Sequence, residues 1–386
     1  EVPPLDQLAI DLPAAEDLDD IYLELEFWSL LSPSASARLP KQGPLRYFVC
    51  DNPEIARAAL VGECSGPDPT AVHLLIEEPD HLRGALIGVA LSPKLGTGLY
   101  FPLAGPGPNL GIGGLALLAG WLADPSRPKV LHESKRATVA LARHGVALAG
   151  VVGDSALASY LVDPTKHLPH RLEQAAREYL HVGLQPLRGL LGTGRERRGF
   201  TDLTIDKAGA WACHCADATG AVVRALEPRI REEGLSSLLF DVDLPLSSVL
   251  ARMELAGVRM DPAILERIGQ RLVEERAALA DEIAELAGRR FNPGSHRQLG
   301  TVLFEELGLP VIRRTKTGYS VDAEVLDDLH DRHPVIPRAL RWRTVDKLIN
   351  TYTAVLSAAI APDGRIHPTF QQTVGAAGRL ITTEPD

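Results

Sequence analysis

Residues 261–288, DPAILERIGQRLVEERAALADEIAELAG, settle the character of the second half of this chain. Asp261 followed by Pro262 is a helix start: the carboxylate can accept the first free amides, and proline's fixed φ suits the first helical position. Leu265, Ile268, Leu272, Leu279, Ile283 and Leu286 then recur at helical spacings, and Gly288 closes the run. So narrow an apolar seam fits one arm of an antiparallel helix pair. Ala339–Ala359, long and with few breakers, is the arm that returns. Between the arms, Ser295 and Gln298 have the spacing of a capping box, opening a short helix that ends at Gly308. The expectation is a helical stalk with a small helical tip. Such a shape has little interior and suits gripping something else.

Upstream the texture changes. YFVC (47–50), AVHLLI (71–76), ALIGVALS (85–92) and TGLYFPLA (97–104) read as strands in succession. Helical patterns follow at 112–123, 134–144, 154–162 and 168–180. Strands first and helices after indicate an α/β domain with a mixed sheet. Residues 1–40 are rich in Pro, Asp and Leu, with a helical candidate at Ile21–Leu31, and read as a linker. The basic, Gly-rich GLLGTGRERRGF (189–200) reads as a surface turn.

Composition is that of an ordinary globular protein, 45% hydrophobic and 23% charged. No apolar run is long enough for a membrane span, and EVPPLDQLAIDLPAAEDLDD lacks the basic-then-apolar pattern of a signal peptide. Cys50, Cys64, Cys213 and Cys215 suit reduced thiols better than a disulfide framework, so the expected compartment is the cytoplasm. The net charge of −10 is unevenly spread: residues 1–242 carry 22 Lys+Arg against 30 Asp+Glu, residues 243–386 carry 18 against 20. Phosphate binding depends on local clusters, and the second half has two, Arg313-Arg314-Thr315-Lys316 and Arg338, Arg341, Arg343 and Lys347. Cys213-His214-Cys215 alternates on a helix, so its side chains diverge, and zinc ligands come in separated pairs. Gly111, Gly113 and Gly114 lack the spacing of a dinucleotide-binding turn.

DLPLSSVLARMELAGVRMDP (243–262), FNPGSHRQLGTVLFEELGLPVIRRTKTGYSVDAEVLDDL (291–329), RWRTVDKLINTYTAVL (341–356) and GRIHPTFQQTVGAAGRLITTEPD (364–386) resemble the thumb of family A DNA polymerases. More weakly, ALIGVALS, KVLHESKRATVALARHGV (129–146), GDSALASYLVD (153–163) and WACHCADAT (211–219) resemble the same family's 3′–5′ exonuclease domain. The resemblance implies α/β, a ribonuclease H-like exonuclease fold with a mixed sheet and helices, followed by an all-helical thumb. It divides the chain into a linker at 1–42, an exonuclease-like domain at 43–240, a thumb at 241–365 and the start of the palm at 366–386. Palm and fingers, where the family holds Mg2+, would lie on the same or a partner chain.

The resemblance also assigns residues. Family exonuclease sites hold two metals on carboxylates that activate water. Their Asp–x–Glu motif falls on Leu75-Ile76-Glu77, the second Asp on Ala137, and the Tyr and Asp of the third motif on Trp211 and Cys215. Three of the four carboxylates are missing, which implies no nuclease activity and no metal in this chain. The positions that contact DNA fall on Asn292, Ser295, His296, Arg297, Arg313, Arg314, Lys316, Arg343, Lys347, Gln371 and Arg379. The amides opening the helix after Ser295 would suit a phosphate. The implied partner is duplex primer–template DNA, bound without sequence preference and with strong salt dependence, in the bacterial nucleoid. Where the family reads Ser-Ser-Thr-Asp-Pro-Asn, this chain departs with Thr382-Thr383-Glu384-Pro385-Asp386. A free-standing, non-catalytic DNA-binding or scaffold protein is the other function these residues allow.

Overall fold

The computed structural model describes residues 18–24, 45–77, 82–165, 170–194, 197–315, 318–383 and 385. Most of the 1–42 linker, part of the 189–200 turn and Lys316 lie outside the described residues. The chain forms two compact units, 1–255 with 370–381, and 256–369 with 382–386.

The first unit is built on a six-stranded sheet of β1 (Arg46–Val49), β2 (Thr70–Ile76), β3 (Leu86–Ser92), β4 (Thr97–Pro102), β5 (Lys129–Leu131) and β6 (Val151–Asp154). The spatial order is β1-β4-β3-β2-β5-β6. β2–β3 and β3–β4 pair antiparallel, and the outer pairs β1–β4, β2–β5 and β5–β6 run parallel. The expected mixed sheet is therefore present. Alternation along β2 divides the core: Val72, Leu74 and Ile76 pack in one apolar cluster, while Leu75 packs in another.

Helices α1 (Pro53–Gly62), α2 (Leu115–Ala123) and α3 (Ser134–Ala142) supply the first cluster with Ala56, Leu118, Leu122, Ala137 and Leu141. The second is closed by a long helix, α6 (Ile205–Glu232), preceded by α4 (Ser155–Val162) and α5 (Leu172–Leu180). Its small residues explain how closely α6 settles: a Cβ on Gly209 would stand 2.7 Å from the Tyr100 ring. Ala212, Cys213 and Ala216 continue that contact strip. Asp154 ties two helix starts together. Its carboxylate accepts from Ala156 N and Leu157 N at the start of α4, and from Glu133 N and Ser134 N at the start of α3.

A π-helical turn, Leu238–Asp243, leads into α7 (Leu244–Ala256). In the second unit, α8 (Pro262–Ala287) has Asp261 as N-cap, accepting from Ala263 N and Ile264 N, and ends at Gly288 in the left-handed conformation. The returning arm is α9 (Val335–Lys347), continued by a π-helical turn at Leu348–Thr353 and a last helix at Ala354–Ala359. Leu279 and Ile283 meet Val335, Ile336, Ala339, Trp342 and Val345. Each fully buried side chain of this size contributes about 1.5–3 kcal/mol. The seam is buried towards the tip, where Ile283 is fully covered, and thins towards the base, where Ile268 is 44% exposed.

Three ion pairs run in antiparallel register along the arms: Glu275 with Arg341, Arg276 with Asp346, and Glu282 with Arg338. Arg276–Asp346 is part-buried, while the two exposed pairs add only about 0–1 kcal/mol each and fix register more than stability. The capping box takes a different form from the one expected. Ser295 Oγ does accept from Gln298 N, but the Gln298 side chain accepts from Asn292 N, three residues earlier than the cap. The turn before the helix is thereby closed instead.

Candidate nucleic-acid interface

On the first unit, Glu77 is the one carboxylate among the positions assigned to nuclease chemistry. Leu75, Ala137 and Cys215 each sit in a different apolar cluster. Burial pushes the Cys215 thiol well above its ordinary range, so no thiolate forms there at neutral pH. Glu77, the remaining carboxylate, accepts from Phe200 N at 3.0 Å and so anchors the chain entering α6. Trp211 donates from Nε1 to Gln185 O at 2.9 Å and lies between the rings of Phe200 and His73. Desolvation, with help from His132 and Arg136, lowers His73 to about 3, so it stays neutral and packs as an aromatic. Among the described residues no group of three or more His, Cys, Asp or Glu could hold a metal ion. Cys213, His214 and Cys215 diverge as their alternation implied: the two thiols enter separate clusters, and the His214 ring lies against Ala210 O.

In the second unit the cations divide into two sets. Arg338 and Arg341 are taken up by the ion pairs along the arms, and Arg313 pairs with Asp322 at 2.5 Å. The Ser320 hydroxyl and Arg313 hold the Asp322 carboxyl below the usual range. Arg343 is half-buried; its Nη1 donates to Val321 O at 2.5 Å, tying the loop after Tyr319 to α9. Burial lowers its pKa. Arg297, Arg314 and Lys347 are exposed and form no ion pair with a described residue; Arg314 lies over the Tyr319 ring at 5.0 Å. Asn292 and His296 are exposed, and Asn292 Oδ1 accepts from Gly294 N.

Gln371 and Arg379 lie near the end of the described chain, in the first unit. Arg379 is exposed on a tight turn in which Gly378 N donates to Gly375 O; a Cβ on Gly375 would stand 2.6 Å from Arg379 O. Gln372, adjacent to the assigned Gln371, is fastened on both sides of its amide, accepting from Ser247 Oγ and donating to Asp243 O.

Sequence reading missed the buried polar anchors of the first unit. Lys135 pairs with Glu254, whose carboxylate is fully buried. Lys129 donates to three carbonyls, Asp124 O, Arg127 O and Ala149 O. Both pairings join residues distant in the chain or backbone atoms, neither of which leaves a spacing signal.

Two family models match the chain. A family model described as DNA polymerase family A matches residues 262–386, and one described as DNA polymerase I, ribonuclease H-like domain, matches 115–198. The DNA polymerase I of Bacillus caldotenax is 32% identical over 99% of this chain and 42% of its own length. That of Mycobacterium tuberculosis is 36% identical over 78% of this chain and 33% of its own. The chain thus spans under half the length of these relatives. A solved structure, the POL domain of Pol1 from M. smegmatis in complex with DNA primer-template and dNTP, superposes with a TM-score of 0.73 at 32% identity. It covers 88% of this chain and 55% of that one.

Proposed function

This chain belongs to the family A DNA polymerases, and on that premise we propose that it holds duplex primer–template DNA for a polymerase while its exonuclease-like unit performs no hydrolysis. The observation that carries the first part is the division of cations in the second unit. Arg297, Arg314 and Lys347 stand exposed, without an ion pair to any described residue, while their neighbours are consumed internally. Cations presented this way contact phosphates without reading bases. The similar POL domain was solved with primer-template, which supports the same reading. Arg343 acts on this surface by holding the loop of Val321, and Arg379 adds a cation near the end of the chain.

Duplex binding by the full chain, measured by fluorescence anisotropy over a salt series, tests this grip. Arg343→Ala combined with Lys347→Ala is expected to weaken binding and flatten the salt slope by about one unit, the share of a single neutralised phosphate. An unchanged slope would count against it.

The absence of hydrolysis rests on Leu75, Ala137 and Cys215, three uncharged groups buried in separate clusters. A two-metal mechanism needs several carboxylates around one water, and Glu77 alone is committed to Phe200 N. With a 3′-labelled single strand and either Mg2+ or Mn2+, the chain is expected to release no nucleotide above the rate without enzyme. Metal-dependent release would sink the assignment.

Membership of a larger polymerase is favoured over a free-standing scaffold by exposed apolar residues of the first unit. Leu238, Phe240, Val242, Val249 and Met253 are each 41–49% exposed along a single stretch, apolar surface of the kind a further polymerase domain covers.

A further inference from the structure

We infer that the exonuclease-like unit has a positioning role: Tyr160, with Lys135 and Glu254, holds the 370–381 segment in the shape that presents Arg379 to DNA. The inference rests on the reading of Arg379 as a DNA contact. Anchors fall at Phe370, Gln372 and Gly375, the first two from α7 and the residue before it and the third from α4. Phe370 N donates to Glu254 Oε1 at 2.8 Å, and the same oxygen carries the ion pair with Lys135 of α3. Gln372 is clamped by Ser247 Oγ at 2.9 Å and Asp243 O at 3.1 Å. Tyr160 of α4 donates its hydroxyl to Gly375 O at 2.7 Å.

That last carbonyl also closes the turn by accepting from Gly378 N, and the Arg379 carbonyl rests directly on Gly375. Tyr160 therefore grips the turn at the point that sets where Arg379 emerges. Its ring is buried and packs edge-on against His170, so the hydroxyl is aimed by a fixed side chain. Helices α3 and α4 are themselves locked at their starts by the single carboxylate of Asp154. The helix on which the second nuclease position falls, Ala137, thus gives Lys135 to holding the segment. A unit without hydrolytic groups retains a mechanical reason to keep its packing.

The test uses Tyr160→Phe in the full chain, which removes one hydroxyl and keeps the ring. Tyr179→Phe, whose hydroxyl lies against Ser159, is the control. Hydrogen exchange without DNA is expected to quicken about fivefold in 370–381 for Tyr160→Phe, the effect of removing one hydrogen bond, and to stay unchanged there for Tyr179→Phe. Unchanged exchange in 370–381, or equal acceleration across the whole first unit, overturns the inference. Duplex affinity then separates it from the reading beneath it. Arg379→Ala and Tyr160→Phe are each expected to weaken binding, with the double variant no weaker than Arg379→Ala alone. If Arg379→Ala binds like the parent, the DNA role of Arg379 fails, while exchange still shows whether Tyr160 holds the segment. If Arg379→Ala weakens binding and Tyr160→Phe does not, or the two effects add in full, positioning by Tyr160 is excluded.

Discussion

Lys135→Met is expected to destabilise the first unit by about 3–5 kcal/mol, the cost of leaving a buried carboxylate without its counter-ion. Glu254 is 0% exposed, and removing Lys135 takes away the ammonium that neutralises it while the Phe370 N–H still donates to it. The measurement is urea unfolding followed by a probe in the first unit. A second variant guards against a merely disruptive methionine. Lys135→Met with Glu254→Gln removes both charges while Gln can still accept from Phe370 N, so it is expected to recover about half of the stability. A single variant as stable as the parent would show that the pair contributes little, and a double variant no better than the single would assign the loss to something other than the unpaired carboxylate.

Lys129→Met should cost about 2–4 kcal/mol by a different route. The ammonium is 0% exposed and satisfies three backbone carbonyls at 2.8–3.0 Å, while lying 4.8 Å from the Trp121 ring. Methionine fills the volume but orphans those carbonyls, each of which carries a penalty of about 1–3 kcal/mol, partly offset by relief of the buried charge. The same residue gives the unit a pH dependence of definite sign. Desolvation lowers its pKa to about 8, against an ordinary value of 10.5, with Asp124 opposing the shift. Between those values the unfolded chain binds more protons than the folded one, so the Lys129 contribution to stability rises as pH rises from about 8 to about 10.5. The gap between parent and Lys129→Met should widen over that window. A gap that is constant or narrows with pH would contradict the assignment.

Much of the second unit was legible because its signals are local. Asp261, Pro262 and Gly288 bracket α8 by cap chemistry that acts within one turn, and the structure shows all three in those roles. The apolar seam announces a partner helix, since Leu279 and Ile283 need cover from somewhere, and Val335 to Val345 provide it. The first four strands, β1 to β4, were legible for the same reason: short apolar runs bounded by turns. Of the candidate DNA contacts, sequence named the cations but could not tell which would pair with another described residue. Arg338, Arg341 and Arg313 look identical to Arg297, Arg314 and Lys347 on paper.

What the sequence by itself determined is therefore the order of elements, the mixed α/β unit before a helical one, and the absence of carboxylates at Leu75, Ala137 and Cys215, because these depend on residue identity and short spacings. Only the tertiary structure decided which charges are spent. Lys135 meets Glu254 across 119 residues, and Tyr160 meets Gly375 across 215. The π-helical turn at Leu348–Thr353, which follows Lys347, likewise has no signature in its residues. Pairings over such distances are selected by packing of the whole core, and a chain read locally holds no record of them.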